Sequence, residues 1–245
     1  MTVCAIMQPT YLPWVGYLDL IDRVDVFIFL DNVQFARRSF QQRNQVRCPE
    51  GLEWITVPVM KSGRREDHID EVEIQLDAFP NKHLALIARH YHKAEHFAAL
   101  WPGLSSVIAA AGEHRSLNRL NQEAIRYLCA AYGIERRIEV AASLPVGGRR
   151  SELIPALCKA VGADTYLTPP GSVEYLREDR AVFAAAGVPV VVQSYEHPVW
   201  AQLYEPFIPF TSSIDLLFNE GPASLAILRS GRRAAVPLAE WPVTT

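Results

Sequence analysis

Three amides, a carboxylate, a tyrosine and several guanidiniums crowd into the first fifty residues: Gln8, Tyr11, Asp31, Gln34, Arg37, Arg38, Arg43 and Asn44. Amides and a carboxylate can orient a polar substrate and hold an amine. Arginine grips carboxylate or phosphate through paired hydrogen bonds. A second group comes much later, Glu196-His197-Pro198 with Gln202. A loop histidine titrates near neutral pH and serves as a general base when a carboxylate such as Glu196 orients it. The bland alternative pairs the arginines with Asp25 or Asp31 and makes His197 a brace of a Pro-rich loop.

Two further sets offer less. His92 and His96 are four residues apart and share a helix face, while His83 and His90, seven apart, share another. The spacing is not that of a zinc protease and no carboxylate completes it, so these read as solvated or interface histidines and no metal is expected. Cys4, Cys48, Cys129 and Cys158 are too widely spaced for a zinc knuckle or a disulfide framework. Cys48, beside a turn, is the most exposable, but no histidine adjoins it to make a nucleophile.

The elements that must position these groups are legible as apolar runs and breaks. Residues 3–7 read as a buried strand, Gln8-Pro9-Thr10 as a break, 17–23 as a helix and 26–30 as a second strand ending at Asp31. Strand, loop, helix, strand is the βαβ pattern, and polar groups past its strand ends share one rim. A hairpin follows (45–47 and 54–59 about Pro49-Glu50-Gly51), then a basic loop at 61–67 carrying His68 at its end, and an alternating strand at 71–76. Helices are expected from Pro80 to about Phe97, at 103–111 and at 115–132. Next come a strand at 138–142, a loop at 145–150, and a helix at 152–161 capped by Ser151. A strand at 164–168, a helix at 173–186 and a strand at 188–194 form a second βαβ unit. The chain then turns Pro-rich and aromatic, with a helix at 213–219 and a frayed tail. The expected fold is α/β: a parallel sheet built from two βαβ units with a central helical block, one domain over 1–245 with a helical insertion at about 80–132.

The 245 residues are 49% hydrophobic with a net charge of −3. That permits a large core and gives no global attraction to nucleic acid or anionic membrane. No apolar run approaches the ~20 residues needed to span a bilayer. The N-terminus does not read as a secretory signal. Reduced, scattered thiols fit a cytoplasmic location.

The stretches QPTYLPWVGYLDLI, LDNVQFARRSFQQRN and WITVPV, with GADTYL, QSYEHPVWAQ and FIPFTSSIDLLFNEG further on, resemble the WbqC-like family. The resemblance runs from about Val3 to Gly221. Members are found with bacterial genes for surface polysaccharides and some secondary metabolites, which implies a role in such biosynthesis. The loop Thr168-Pro169-Pro170-Gly171 departs from the family's Ser-Gly-X-Gly segment. Residues 9–21 also resemble, at a distance, the strand–loop–helix of HIGH-motif nucleotidyltransferases, without their histidines. The reaction that fits the polar rim is acyl or aminoacyl transfer to an amine or amino sugar. His197 would be the base, Asp31 and Gln8 the amine holders, and Arg37 or Arg43 the grip on an anionic carrier. Tyr11, Gln34, Asn44 and Gln202 complete the expected substrate contacts. The donor would be an acyl thioester, with a carrier protein as possible partner and no nucleic acid. Nucleotidyl transfer or ATP-dependent ligation is the second reading, and a non-catalytic ligand-binding pathway protein the third.

Overall fold

In the computed structural model of the chain, residues 1–60, 67–148 and 150–242 are described. The expected basic loop lies outside them except for Asp67. The first strand, β1 (Val3–Met7), leads through a loop to α1 (Val15–Asp22) and back to β2 (Val26–Phe29). β1 and β2 pair in parallel, Cys4 opposite Val26 and Met7 opposite Phe29. A hairpin of β3 (Arg43–Cys48) and β4 (Gly51–Thr56) stands apart as its own antiparallel sheet. Three helices follow, α2 (Asn81–Tyr91), α3 (Phe97–His114) and α4 (Leu117–Tyr132), then β5 (Arg137–Val140) and α5 (Arg150–Ala160). The second unit is β6 (Thr165–Thr168), α6 (Val173–Glu178), α7 (Arg180–Ala186) and β7 (Val190–Val192). Helices α8 (Ile214–Glu220) and α9 (Ser224–Ser230) precede a short edge strand, β8 (Val236–Pro237).

The six-stranded sheet has the order β5-β2-β1-β6-β7-β8. All its pairings are parallel except that of β7 with β8. Successive residues of a strand point to opposite faces. Ala5, Phe27 and Phe29 accordingly join one core with Leu18 and Ile21 of α1, Leu120 and Leu128 of α4 and Phe218 of α8. Cys4, Ile6, Val26 and Ile28 join the other with Leu157 of α5, Leu176 of α6 and Phe183 of α7. Helices on both faces explain why these strands read as unbroken apolar runs. The central helices belong to the first core: Leu104, Ile108 and Leu120 pack in the same cluster as Phe27. Ser116 caps α4 by accepting the Arg119 N–H at 3.2 Å, and Gly133 ends it with φ 77°.

Several local expectations are corrected. Residues 71–76 form no strand; Ile74 only pairs with Val59, and Glu73 with Ser116. The first central helix stops at Tyr91, and α3 starts at Phe97, before the expected 103. His92 and His96 therefore flank a break rather than sharing a face. The helix expected at 173–186 divides at Asp179, and α5 begins at Arg150, so Ser151 lies inside it. The described part of the tail, to residue 242, forms α9 and β8. Arg229 and Arg232 reach back to α1, with Arg229 Nε 2.8 Å from Asp22 Oδ2 and Arg232 Nε 2.8 Å from Asp19 Oδ1. Burial pushes the Asp22 carboxyl up, but the hydrogen bonds from Arg229 and Arg232 outweigh it and hold the group below its ordinary value.

Candidate functional site

All five parallel strands end on one rim. Gln8 follows β1, Leu30 and Asp31 follow β2, Ala141 follows β5, Pro169 follows β6 and Gln193 follows β7. The chain steps from β1 to β2 in one direction and from β6 to β7 in the other, with α1 on one face and α6 and α7 on the other. β1 and β6 are therefore neighbours at a switch point, the crevice where doubly wound sheets take ligands.

An amide lattice braces the loops of this rim. Asp31 is buried at 2% exposure and its oxygens accept from Asn118 Nδ2 at 3.0 Å, Gln122 Nε2 at 3.4 Å and the Ala142 N–H at 3.1 Å. Among the described residues no basic side chain pairs with it. Asn121 donates to the carbonyls of Pro9 and Gln41, at 3.2 and 2.7 Å. Gln41 in turn donates to Gln8 Oε1 at 2.9 Å, and Tyr17 donates its hydroxyl proton to the Gln8 carbonyl at 3.0 Å. Asn118, Asn121 and Gln122 were not anticipated. Their spacing of three and four residues puts them on one helical stripe, interleaved with buried Leu117 and Leu120. Amides inside an apolar stripe are the signal that could have exposed them.

A cavity of about 300 Å³ opens at the carboxyl end of β1, lined by Met7, Thr10, Trp14, Tyr17, Asn44 and Phe210, among others. A larger cleft of about 700 Å³, with Arg177, Arg180 and Trp241, lies at Val188–Val190 beside α7, at the opposite end of the sheet. Of these two, the smaller adjoins the rim. Two non-glycine residues with left-handed backbone flank it, Leu12 (φ 43°) and Phe210 (φ 63°). Such geometry costs on the order of 1–3 kcal/mol per residue and persists only where neighbours enforce it. Asn44 supplies the enforcement at Leu12: its Nδ2 donates to the Leu12 carbonyl at 2.6 Å and to that of Tyr11 at 3.2 Å.

His197 enforces the other. The Phe210 N–H donates to His197 Nε2 at 3.0 Å, which places the ring proton on Nδ1, 2.7 Å from the Pro198 carbonyl it meets. The imidazole stacks on Trp14 at 6.1 Å and on Trp200 at 5.2 Å. Burial lowers its pKa, more than the bond to Pro198 raises it. With both nitrogens engaged, His197 stands behind the cavity wall. The Trp14 ring also lies over Gly16, where a β-carbon would come within 2.2 Å of the indole. The start of α1, the place where a HIGH-type helix meets phosphate, is covered by that indole.

The remaining expected residues fall elsewhere. Tyr11 is fully buried and bonds to His83 Nδ1 at 3.0 Å; burial raises the Tyr11 hydroxyl and pushes His83 down to about 4. His83 and His90 are buried rather than solvated, the latter 2.7 Å from Glu53. Gln34 and Arg37 are exposed on the segment after β2, where Gln34 pairs with His68. Arg43 lies over the Trp54 ring at 4.2 Å, and its Nε is buried without a partner. Gln202 belongs to a buried network that sequence reasoning missed. It accepts from Arg47 Nε at 3.3 Å and donates to Asp215 at 3.1 Å, while Arg47 also donates to the carbonyls of Gly51, Tyr204 and Pro206. Cys48 is buried like the other three cysteines. Among the described residues one group can gather ligand atoms within 4.8 Å of one another, exposed His68, Asp70 and Glu71, and Glu71 already accepts the His68 N–H at 2.8 Å. No helix of the described residues is long and apolar enough to cross a membrane.

These features define a doubly wound α/β protein with an amide-braced crevice and an aromatic cavity at its switch point. The sequence profile of the WbqC-like protein family matches residues 8–227, and the chain belongs to that family. It is 32% identical over 230 residues to the uncharacterized protein Rv1507c of Mycobacterium tuberculosis, covering 94% of this chain and 98% of that one. No solved structure matches it significantly.

Proposed function

We propose that the chain is a biosynthetic transferase that joins an acyl or aminoacyl group to an amine, in a surface-glycan or secondary-metabolite pathway. The pathway setting rests on the family. The chemistry rests on one observation: the switch-point crevice joins neutral amides to an aromatic cavity with no charged side chain among its described lining residues. A site of that kind suits two reactants held side by side. Correct placement alone is worth about 7–11 kcal/mol of barrier. In the reaction the amine nitrogen attacks the donor's thioester carbonyl. A C–N bond forms, the C–S bond breaks, and one proton passes in net from nitrogen to the departing sulfur.

Gln8 and Asp31 stand on the amine side of this reading, Arg43 and Arg37 on the carrier side. His197 can accept a proton only by releasing the Phe210 N–H. Nucleotidyl transfer is less well supported, because Trp14 covers the first turn of α1. The test is thiol release from acyl thioesters offered with amino sugars and amino acids. All four cysteines are buried, which keeps the background of a thiol reagent low. Amine-dependent release supports the proposal. Pyrophosphate release from ATP instead would select the nucleotidyltransferase reading, and tight binding without any turnover would select a ligand-binding protein.

A further inference from the structure

The cavity at the end of β1 has walls that say what it holds. Four of the residues lining it are aromatic, Trp14, Tyr17, Phe40 and Phe210. Its polar groups are few. The Asn44 amide is used by the Tyr11 and Leu12 carbonyls and the Gln45 N–H. The Thr10 hydroxyl is buried and unpaired, one small handle in an apolar slot. A charged moiety brought inside would lose its water and meet no counter-charge among the described lining residues. The occupant is therefore neutral and apolar. A dry cavity of about 150 Å³ takes up benzene, and this one, at about 300 Å³, has room for a ring or a short chain with atoms to spare.

The mouth gives the second half. Phe40 and Phe210 line the cavity yet stay 56% and 59% exposed, and Phe210 does so on left-handed backbone held by His197. Large apolar side chains kept open at a cavity mouth mark a surface meant to be covered. Beside them the Phe40 ring lies 6.0 Å from Trp54, over which Arg43 is stacked with its Nε unpartnered. A cation thus stands just outside an apolar slot.

We infer that the cavity is the acyl pocket of the site and takes a neutral aryl or medium-chain acyl group, about benzoyl to octanoyl in size, while the anionic part of an amphipathic donor meets Arg43. This rests on the acyl-transfer reading for the donor's identity, but not for the character of the pocket. Aromatic walls select the group by stacking and by area removed from water. Acetyl would leave most of the slot unfilled.

The experiment is calorimetric titration of the full chain with free coenzyme A, acetyl-, benzoyl- and octanoyl-coenzyme A, and with benzamide as a carrier-free probe. Benzoyl- and octanoyl-coenzyme A should bind at least about tenfold more tightly than coenzyme A, with the negative heat-capacity change of apolar burial. Phe210→Gly removes the ring at a position whose left-handed backbone glycine adopts without strain. It should cost benzoyl-coenzyme A about tenfold in affinity and leave coenzyme A unchanged. Phe40→Ala, at an exposed position, is the companion variant, and an unchanged melting temperature verifies both folds. Equal affinity for every thioester and for coenzyme A overturns the acyl pocket and leaves the transfer reading standing. Benzamide binding that Phe210→Gly abolishes, with no thioester bound, supports the pocket and sinks the thioester donor. Absence of binding by any probe overturns the inference.

Discussion

Replacing His197 with alanine separates a brace from a base. The side chain makes two hydrogen bonds, to the Pro198 carbonyl at 2.7 Å and from the Phe210 N–H at 3.0 Å. Each is worth about 1 kcal/mol net, and the ring contacts with Phe210 at 4.9 Å and Trp200 at 5.2 Å add about 1 kcal/mol. Because the imidazole is only partly buried, the expected loss is about 2 kcal/mol, which lowers the melting temperature by about 4–8 °C in a chain of this size. The loss depends on pH. Burial holds the folded-state pKa of His197 below its ordinary value of about 6.5. As pH falls below that value the unfolded chain takes up the proton first, so wild-type stability declines, whereas the alanine variant has no such decline at this position. Urea unfolding followed by tryptophan fluorescence at pH 7.5, 6.5 and 5.5 should show the gap narrowing on acidification. A variant as stable as wild type at every pH, with turnover reduced by 10²-fold or more, would refute the brace and restore the general base.

His83 should dominate the acid limb of stability. A fall from about 6.5 unfolded to about 4 folded corresponds to roughly 3 kcal/mol; it is lost as pH drops through that window, and His83→Gln should flatten the urea midpoint there. Arg47→Lys should destabilise by about 2 kcal/mol or more. An ammonium cannot span Gln202 and the carbonyls of Gly51, Tyr204 and Pro206 together, and unchanged denaturant midpoints would discredit that network. Asn44→Ala removes the side chain that holds the Leu12 carbonyl. It should cost about 1–3 kcal/mol and, unlike Arg47→Lys, weaken benzoyl-coenzyme A binding in the same calorimetric assay, because the strained loop forms a cavity wall.

The α/β architecture was legible because both faces of the sheet are covered, so β1, β2 and β6 stand out as apolar runs bounded by polar breaks. What failed were elements decided by neighbours. β7 shrinks to Val190–Val192, the residues paired with β6 and β8, although the apolar run is longer. β8 and α9 were invisible because the tail is fixed through Arg229 and Arg232 to aspartates some two hundred residues away. At the candidate site, residue type pointed to the rim but not to how each side chain is placed. Asp31 and Gln8 do lie at strand ends, Tyr11 and Gln202 are buried in hydrogen-bonded networks, and Asn44 lines the cavity with its amide bonded to backbone. Trp14 and Phe210 were passed over because an aromatic residue in a sequence looks like core. Only a half-exposed ring on left-handed backbone distinguishes a cavity wall.

That inversion has a physical cause. A buried polar side chain must find partners, and around an irregular loop the nearest unmet partners are backbone carbonyls and N–H groups. Asn44, Asn121, Gln202 and Arg47 are spent on them. Asn44 thereby holds Leu12 in its left-handed conformation, as His197 holds Phe210. The groups left facing the cavity are mostly rings, with the Thr10 hydroxyl as the one buried polar atom without a partner among its described lining residues. A neutral slot then lies beside the polar rim, so affinity from apolar burial and orientation from amides are supplied by different residues. A substrate engaging both must itself be divided, polar on the rim side and apolar in the slot. An acyl group passing to an amine has that division at the bond being made.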